Sequence, residues 1–197
     1  MMIFWYRRGG KRLFDILLAA GGLLLLSAPA VWFAVQIRQE LGSPVLFRQK
    51  RVGRGGLSFT ILKFRTMSEK GVVTSPFCRW LRSTALDELP QLLNILKGEM
   101  SFVGPRPLIP EELAELDRAA RGPERLSIRP GLAGLAQIYG EKIPSLQQRL
   151  RWDLFYLDHC SPGTDLRILF KSLFVTSRSG WDSPGPKGAF LEPAERG

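Results

Sequence analysis

Apolar and polar positions follow three different rhythms along this chain, and each predicts an element. Residues 16–37 include no charged side chain, and only Gly21, Gly22, Ser27, Pro29 and Gln36 interrupt the apolar run. As one helix the run reaches about 33 Å, enough to cross a hydrocarbon core of about 30 Å. It is too long for the apolar core of a cleaved secretory signal, and no persuasive processing site follows. Next, VLFRQK (45–50) and LSFTILKFRTM (57–67) read as two strands joined by a turn through Gly53, Gly55 and Gly56, a β-hairpin. Beyond Leu86 the spacing becomes helical. Leu89, Leu92, Leu93 and Leu96 give a short helix one buried face, with Pro90 suited to its first turn and Gly98 to the left-handed position past its end. Residues 110–121, 145–159 and 165–176 carry helical patterns too, whereas 128–140 reads as a glycine-punctuated loop. The expected fold is poor in α/β character: mainly α with one small β-hairpin. It divides into a membrane helix and its flanks (1–40), a compact domain (41–180) and a loosely ordered tail (181–197).

The apolar run has cations on both sides: Arg7, Arg8, Lys11 and Arg12 before it, then Arg38, Arg48, Lys50, Arg51 and Arg54. Cationic flanks favour the cytoplasmic side, so both ends belong there. Pro29 removes a helical hydrogen bond, and the Ser27 hydroxyl bends a helix by bonding back to a carbonyl. These features predict a re-entrant helix that breaks at Ser27 and Pro29 and returns. A kinked spanning helix is the alternative that hydropathy alone favours. Asp15, at the entry of the run, should pair with Arg12 or another nearby cation. Residues 165–176 set Leu166, Ile168, Leu169, Phe170, Leu173 and Phe174 against Arg167 and Lys171, which suits an interfacial amphipathic helix or, equally, a core-facing one.

Composition narrows the chemistry. Among 197 residues, 28 Lys and Arg outnumber 18 Asp and Glu, a net charge of +10 that calls for an anionic partner. Nucleic acid is not that partner, because the cations are not interleaved with exposed aromatics and no nucleic-acid motif is present. One histidine and two widely separated cysteines exclude a zinc site and point to a reducing compartment. A metal here would be a hard cation, magnesium or manganese, on carboxylates and phosphates. The carboxylates that stand out are Asp87 and Glu88, placed before the Leu89–Leu96 helix where a helix terminus favours anions. A helix cap accounts for Asp87 alone. It does not account for the second acid, or for Arg106, which the prolines of GPRP present rigidly at the end of the same unit. Arg48, Lys50, Arg51, Lys63 and Arg65 of the hairpin form a candidate basic wall, and Arg79 and Arg82 approach from the segment after it. For Arg51 and Arg54 a solvated hairpin face is the plainer reading.

Taken together, KRLFD, KFRTM, LDELPQLLNILKGEMSFVGPRP, RPGLAGLAQ and DLFYLDHCSPGTDLRIL resemble the small monotopic phosphoglycosyl transferases, the bacterial sugar transferase family, over roughly residues 7–180. The resemblance implies a compact catalytic domain on the cytoplasmic face of the bacterial inner membrane, with a re-entrant helix and interfacial amphipathic helices. It implies transfer of a phosphosugar from a nucleoside (uridine) diphosphate sugar to polyprenyl (undecaprenyl) phosphate, the first membrane step of glycoconjugate, exopolysaccharide or lipopolysaccharide biosynthesis. Asp87 matches the nucleophile that carries a covalent phosphosugar, Glu88 its partner, and the two together the magnesium site. Arg82, Arg106 and Arg129 match basic positions that hold the nucleotide sugar, and Lys63 lies in the matching KFRTM strand. Membrane lipid is a further partner, and a homodimer is compatible with the resemblance. Two departures stand out. Ala28 separates the serine from the proline at the helix break, and Leu135, Tyr139 and Glu141 replace a Trp, an Asn and an Arg common in the family. The competing functions are a non-catalytic scaffold of polysaccharide assembly and a single-displacement transferase using the acids as bases.

Overall fold

The structure, a computed structural model, describes residues 6–68, 70–73, 75–139 and 145–179. The expected tail at 181–197 and Glu141 lie outside the described residues. The apolar run forms the middle of α1 (Lys11–Leu41), and α1 continues through Pro29 as one helix. The expected break at Ser27 and Pro29 is therefore not an interruption. The lost proline bond is local, and Ser27 Oγ donates to Leu24 O at 2.9 Å within the same turn.

Both halves of α1 rest on the same domain. Ala19 is buried with Phe59, Ile61, Leu92, Ile95 and Met100, and further along Phe33 and Ile37 are buried with Phe64 and Leu81. Between these contacts Leu24, Leu25, Ser27, Ala28 and Pro29 are exposed. Asp15 anchors the first half, but not through Arg12. Its carboxylate accepts from Ser101 Oγ and Phe102 N, both at 3.0 Å. Arg12 instead donates to the carbonyls of Ile95 and Leu96. The acid faces a strand end with unpaired donors, and the arginine faces a helix end with unpaired acceptors.

The hairpin is as expected: β1 (Leu46–Val52) pairs antiparallel with β2 (Ser58–Phe64), setting Phe47 opposite Lys63 and Arg51 opposite Phe59. Its turn uses Gly55 and Gly56 at φ 68° and 77°, which only glycine adopts without strain. After α2 (Pro76–Ser83), a 3₁₀ turn over Leu86–Glu88 leads into α3 (Gln91–Lys97), and Gly98 ends it at φ 85°. The buried side of α3 differs from expectation. Leu93 is 41% exposed, and Asn94 is buried in its place. Asn94 bridges α3 to β2, donating to Thr60 O at 2.8 Å and accepting from Leu62 N at 3.1 Å.

A second sheet was not expected. Strands β3 (Ser101–Val103) and β4 (Gly131–Ala133) pair in parallel, and α5 (Leu135–Tyr139) follows, inside the segment read as a loop. Strands this short carry no readable period. Their contact needs glycines: a Cβ on Gly131 would come 2.0 Å from Gly104 N. Around this sheet Val103, Ala133, Leu135, Ile138, Tyr156 and Ile168 form one buried cluster. The remaining helices are α4 (Leu113–Arg118), α6 (Leu146–His159, capped by Ser145 and Gln148) and α7 (Pro162–Ser179). Helix α7 buries Asp165, Ile168 and Ser172 but exposes Leu166, Phe170, Leu173 and Phe174. Those four recur at helical spacing, so an apolar stripe faces outward, and core packing accounts only for the other side.

Candidate active site

The acid pair follows one strained residue at the junction after α2. Ala85 adopts a left-handed conformation, φ 57° and ψ 15°, between α2 and the Leu86–Glu88 turn. That costs an alanine roughly 1–2 kcal/mol, and such strain gathers at functional sites. It turns the chain so that Asp87 and Glu88 lie at the floor of a cavity of about 550 Å³, each only 7% exposed. Neither caps α3: its first flanking residue is Pro90, and no side chain caps it.

Cations surround the pair. Lys63 and Arg65 from β2 and its end, Arg82 from α2, Arg106 from GPRP and Arg51 from β1 all line the cavity. Lys63 Nζ is ion-paired with Glu88 Oε1. Arg51 donates to Pro107 O at 3.2 Å and to Gln49 Oε1 at 2.6 Å, joining the hairpin to GPRP. Burial, and then the nearby Arg106, push its guanidinium below its usual value, though an arginine stays charged at any physiological pH. Of the hairpin cations, Arg48 and Lys50 point away and are exposed, as the two-residue alternation of a strand requires.

Arg106 is held by its backbone. Pro105 O accepts from Gly131 N at 2.8 Å, and Arg106 O accepts from Arg125 Nη2 at 2.6 Å. Arg125 in turn pairs with Asp153, Nε to Oδ2 at 2.6 Å, and both are almost wholly buried. With three consecutive carbonyls tied and two prolines in the segment, the arginine is presented at a fixed angle.

Five of the expected site residues converge here, Lys63, Arg82, Asp87, Glu88 and Arg106, and Arg51 joins them. Arg129 does not join them. Its Nε donates to Gly98 O at 2.8 Å, so it closes the C-terminal end of α3 alongside Arg12. Burial and the neighbouring Arg12 lower its pKa. A cation on a hairpin is usually solvated, which makes Arg51 hard to distinguish from its neighbours by residue type alone. The signal that finds it is register, since Phe47, Gln49 and Arg51 share the face that carries Lys63. Among the described residues no three His, Cys, Asp or Glu side chains gather as metal ligands. Two carboxylates nevertheless suit magnesium, which takes one or two from protein and the rest from phosphates and water.

A cationic cleft around two shielded carboxylates defines a class of site, one that brings carboxylate chemistry to phosphate groups. The bacterial sugar transferase profile matches residues 6–179, and this chain belongs to that family. It is 40% identical over 190 residues to the exopolysaccharide production protein ExoY of Rhizobium meliloti, covering 83% of each chain. It is 42% identical over 171 residues to the uncharacterized sugar transferase EpsL of Bacillus subtilis, covering 81% of this chain and 83% of that one. A third relative is the UDP-glucose:undecaprenyl-phosphate glucose-1-phosphate transferase of Caulobacter vibrioides, 40% identical over 185 residues, with 83% of this chain and 68% of that one aligned.

Proposed function

We propose that this enzyme transfers a phosphosugar from a nucleoside diphosphate sugar to polyprenyl phosphate in polysaccharide biosynthesis, through a phosphosugar carried covalently on Asp87. Family membership and the names of the relatives support the reaction class. The observation that carries the mechanism is the shielded Asp87–Glu88 pair inside a ring of cations. An Asp87 oxygen attacks the sugar-bearing phosphorus, the bond to the second phosphate breaks, and nucleoside monophosphate leaves. An oxygen of polyprenyl phosphate then attacks the same phosphorus, the acyl–phosphate bond breaks, and the Asp87 carboxylate is restored. Lys63 fixes Glu88, while Arg51, Arg82 and Arg106 offset the charge of the approaching diphosphate. Asp87 and Glu88 would hold magnesium, which would supply further neutralisation of the phosphates.

The membrane reading is monotopic. It is supported by the contact of both halves of α1 with one domain and by the exposure of Leu24, Leu25, Ser27, Ala28 and Pro29 between them. The outward stripe of α7 supports an interfacial helix beside it. Both substrates then meet at one face, the cytoplasmic face of the inner membrane.

The test is a single-turnover reaction without lipid acceptor. Nucleoside monophosphate should appear in an amount equal to enzyme, and a phosphosugar mass should be found on the peptide carrying Asp87. Asp87→Asn should slow this release at least about a thousandfold. Release at the wild-type rate from that variant would remove Asp87 from the nucleophile role. Chelation should stop turnover and added magnesium restore it, whereas full activity in excess chelator would refute the metal site.

A further inference from the structure

Next to the large cavity, and sharing Lys63, Glu88 and Arg106 with it, is a notch of about 20 Å³. That is room for one water-sized oxygen, which needs about 10–15 Å³. Three residues lining it carry buried polar atoms with no hydrogen-bond partner among the described residues: Arg51 Nε, Gln91 Nε2 and Gln137 Oε1. Folded proteins pair nearly all such atoms with protein or with ordered water. Gln91 is 2% exposed, at the first turn of α3 and three positions after Glu88. Gln137 comes from α5, and its amide is oriented by donation from Nε2 to Leu132 O at 3.2 Å.

We propose that this notch is a binding site for one hydroxyl oxygen, completed by Arg51, Gln91 and Gln137 behind Glu88. The three atoms are two donors and one acceptor, the complement of an O–H group. Its lone pairs take the hydrogens of Arg51 Nε and Gln91 Nε2, and its proton goes to Gln137 Oε1. A water has a second proton to give to Glu88, and a sugar hydroxyl has its carbon there instead. Either source ties α3, α5 and β1 together through one oxygen at the edge of the reacting centre. Gln91 and Gln137 are thus positioning residues. Their importance for turnover rests on the function proposed above, but the presence of the oxygen does not.

Two measurements test this. In a crystal structure of the full chain that resolves waters, one oxygen should lie within hydrogen-bond distance of Gln91 Nε2 and Gln137 Oε1. A dry notch, or the two amides bonded to each other, overturns the proposal whether or not the protein transfers sugar. Repeating the structure with a phosphonate analogue of uridine diphosphate glucose separates the sources: a retained oxygen is an internal water, and one replaced by a sugar oxygen is substrate recognition. In kinetics, Gln91→Met and Gln137→Met should each lower kcat/KM about tenfold with melting temperature nearly unchanged. Because both bonds end on the same oxygen, the double variant should be no slower than the slower single one. Losses that multiply would show two independent side chains and overturn the proposal. Failure of the wild-type protein to release nucleoside monophosphate would instead count against the function and leave the crystallographic result standing.

Discussion

Arg48 and Arg51 are three positions apart on one strand, and the odd spacing puts them on opposite faces. Arg51 faces the cavity, half-buried and bonded to Pro107 O, while Arg48 is exposed on the outer face. Charge-assisted hydrogen bonds in shielded sites contribute about 1.5–3 kcal/mol, against about 0–1 for exposed charges. Arg51→Ala should therefore lower kcat/KM by roughly 10- to 100-fold, and Arg48→Ala by less than about threefold. Equal effects of the two, measured side by side, would mean that the face of the hairpin does not matter. The same scale separates Arg106 from Arg129. Both stand among prolines and glycines in the sequence, but one guanidinium lines the cavity and the other donates its Nε–H to Gly98 O. Asp165 gives a third case. It accepts from Tyr6 and Tyr156 hydroxyls, both at 2.6 Å, and pairs with Lys11, so it locks α7 to the start of α1. Burial and then this carboxylate push both phenol pKa values up, which keeps the two hydroxyls as donors.

At the scale of elements, the GPRP segment is shaped from outside. The buried pair of Arg125 and Asp153 reaches it through Arg106 O, and β4 reaches it through Pro105 O. Removing one partner of a buried pair leaves the other charge uncompensated, at a cost of roughly 3–5 kcal/mol. Asp153→Asn should lower the melting temperature by roughly 6–20 °C for a chain of this size. At temperatures where it remains folded it should also raise KM for the nucleotide sugar, because Arg106 loses its fixed presentation. A melting curve that overlays wild type would show that Arg125 finds other compensation. Helix α3 is likewise supported by other elements: Asn94 and Ile95 pack against β2 and α1, and Arg12 and Arg129 close its last turn. Seven residues are too few to be stable as an isolated helix, so the acids depend on these neighbours for their position.

At the scale of the whole molecule, the arrangement of α1 sets what the enzyme can reach. A helix that crossed the bilayer would carry one end away from the domain, yet Arg12 and Asp15 at one end and Ile37 at the other are all held by it. Single cysteines at Gly9 and Ser43 test the proposed sidedness. Both positions are exposed, a Cβ at Gly9 meets nothing within 4 Å, and the native Cys78 and Cys160 are buried. In intact cells an impermeant maleimide should label neither site, and after permeabilisation it should label both. Labelling of the Gly9→Cys site alone from outside would establish a spanning helix.

The sequence alone determined what depends on local pattern. The apolar length of α1, the alternation and glycines of the hairpin, the capping box of α6 and the clustered DELPQ and GPRP motifs are each written within a few consecutive residues. That sufficed for the main elements, the acid pair and four of its five cations. How distant segments share donors and acceptors is set only by folding. Arg12 met carbonyls rather than Asp15, Arg129 was spent on a helix end, and Arg51 was turned inward by strand register. The parallel pair of β3 and β4, three residues each and nearly thirty apart, has no local signature, because its stability comes from glycine-permitted backbone contact and shared burial. Long-range hydrogen bonding assigns each polar group to the nearest unmet partner, and that assignment exists only once the chain has folded.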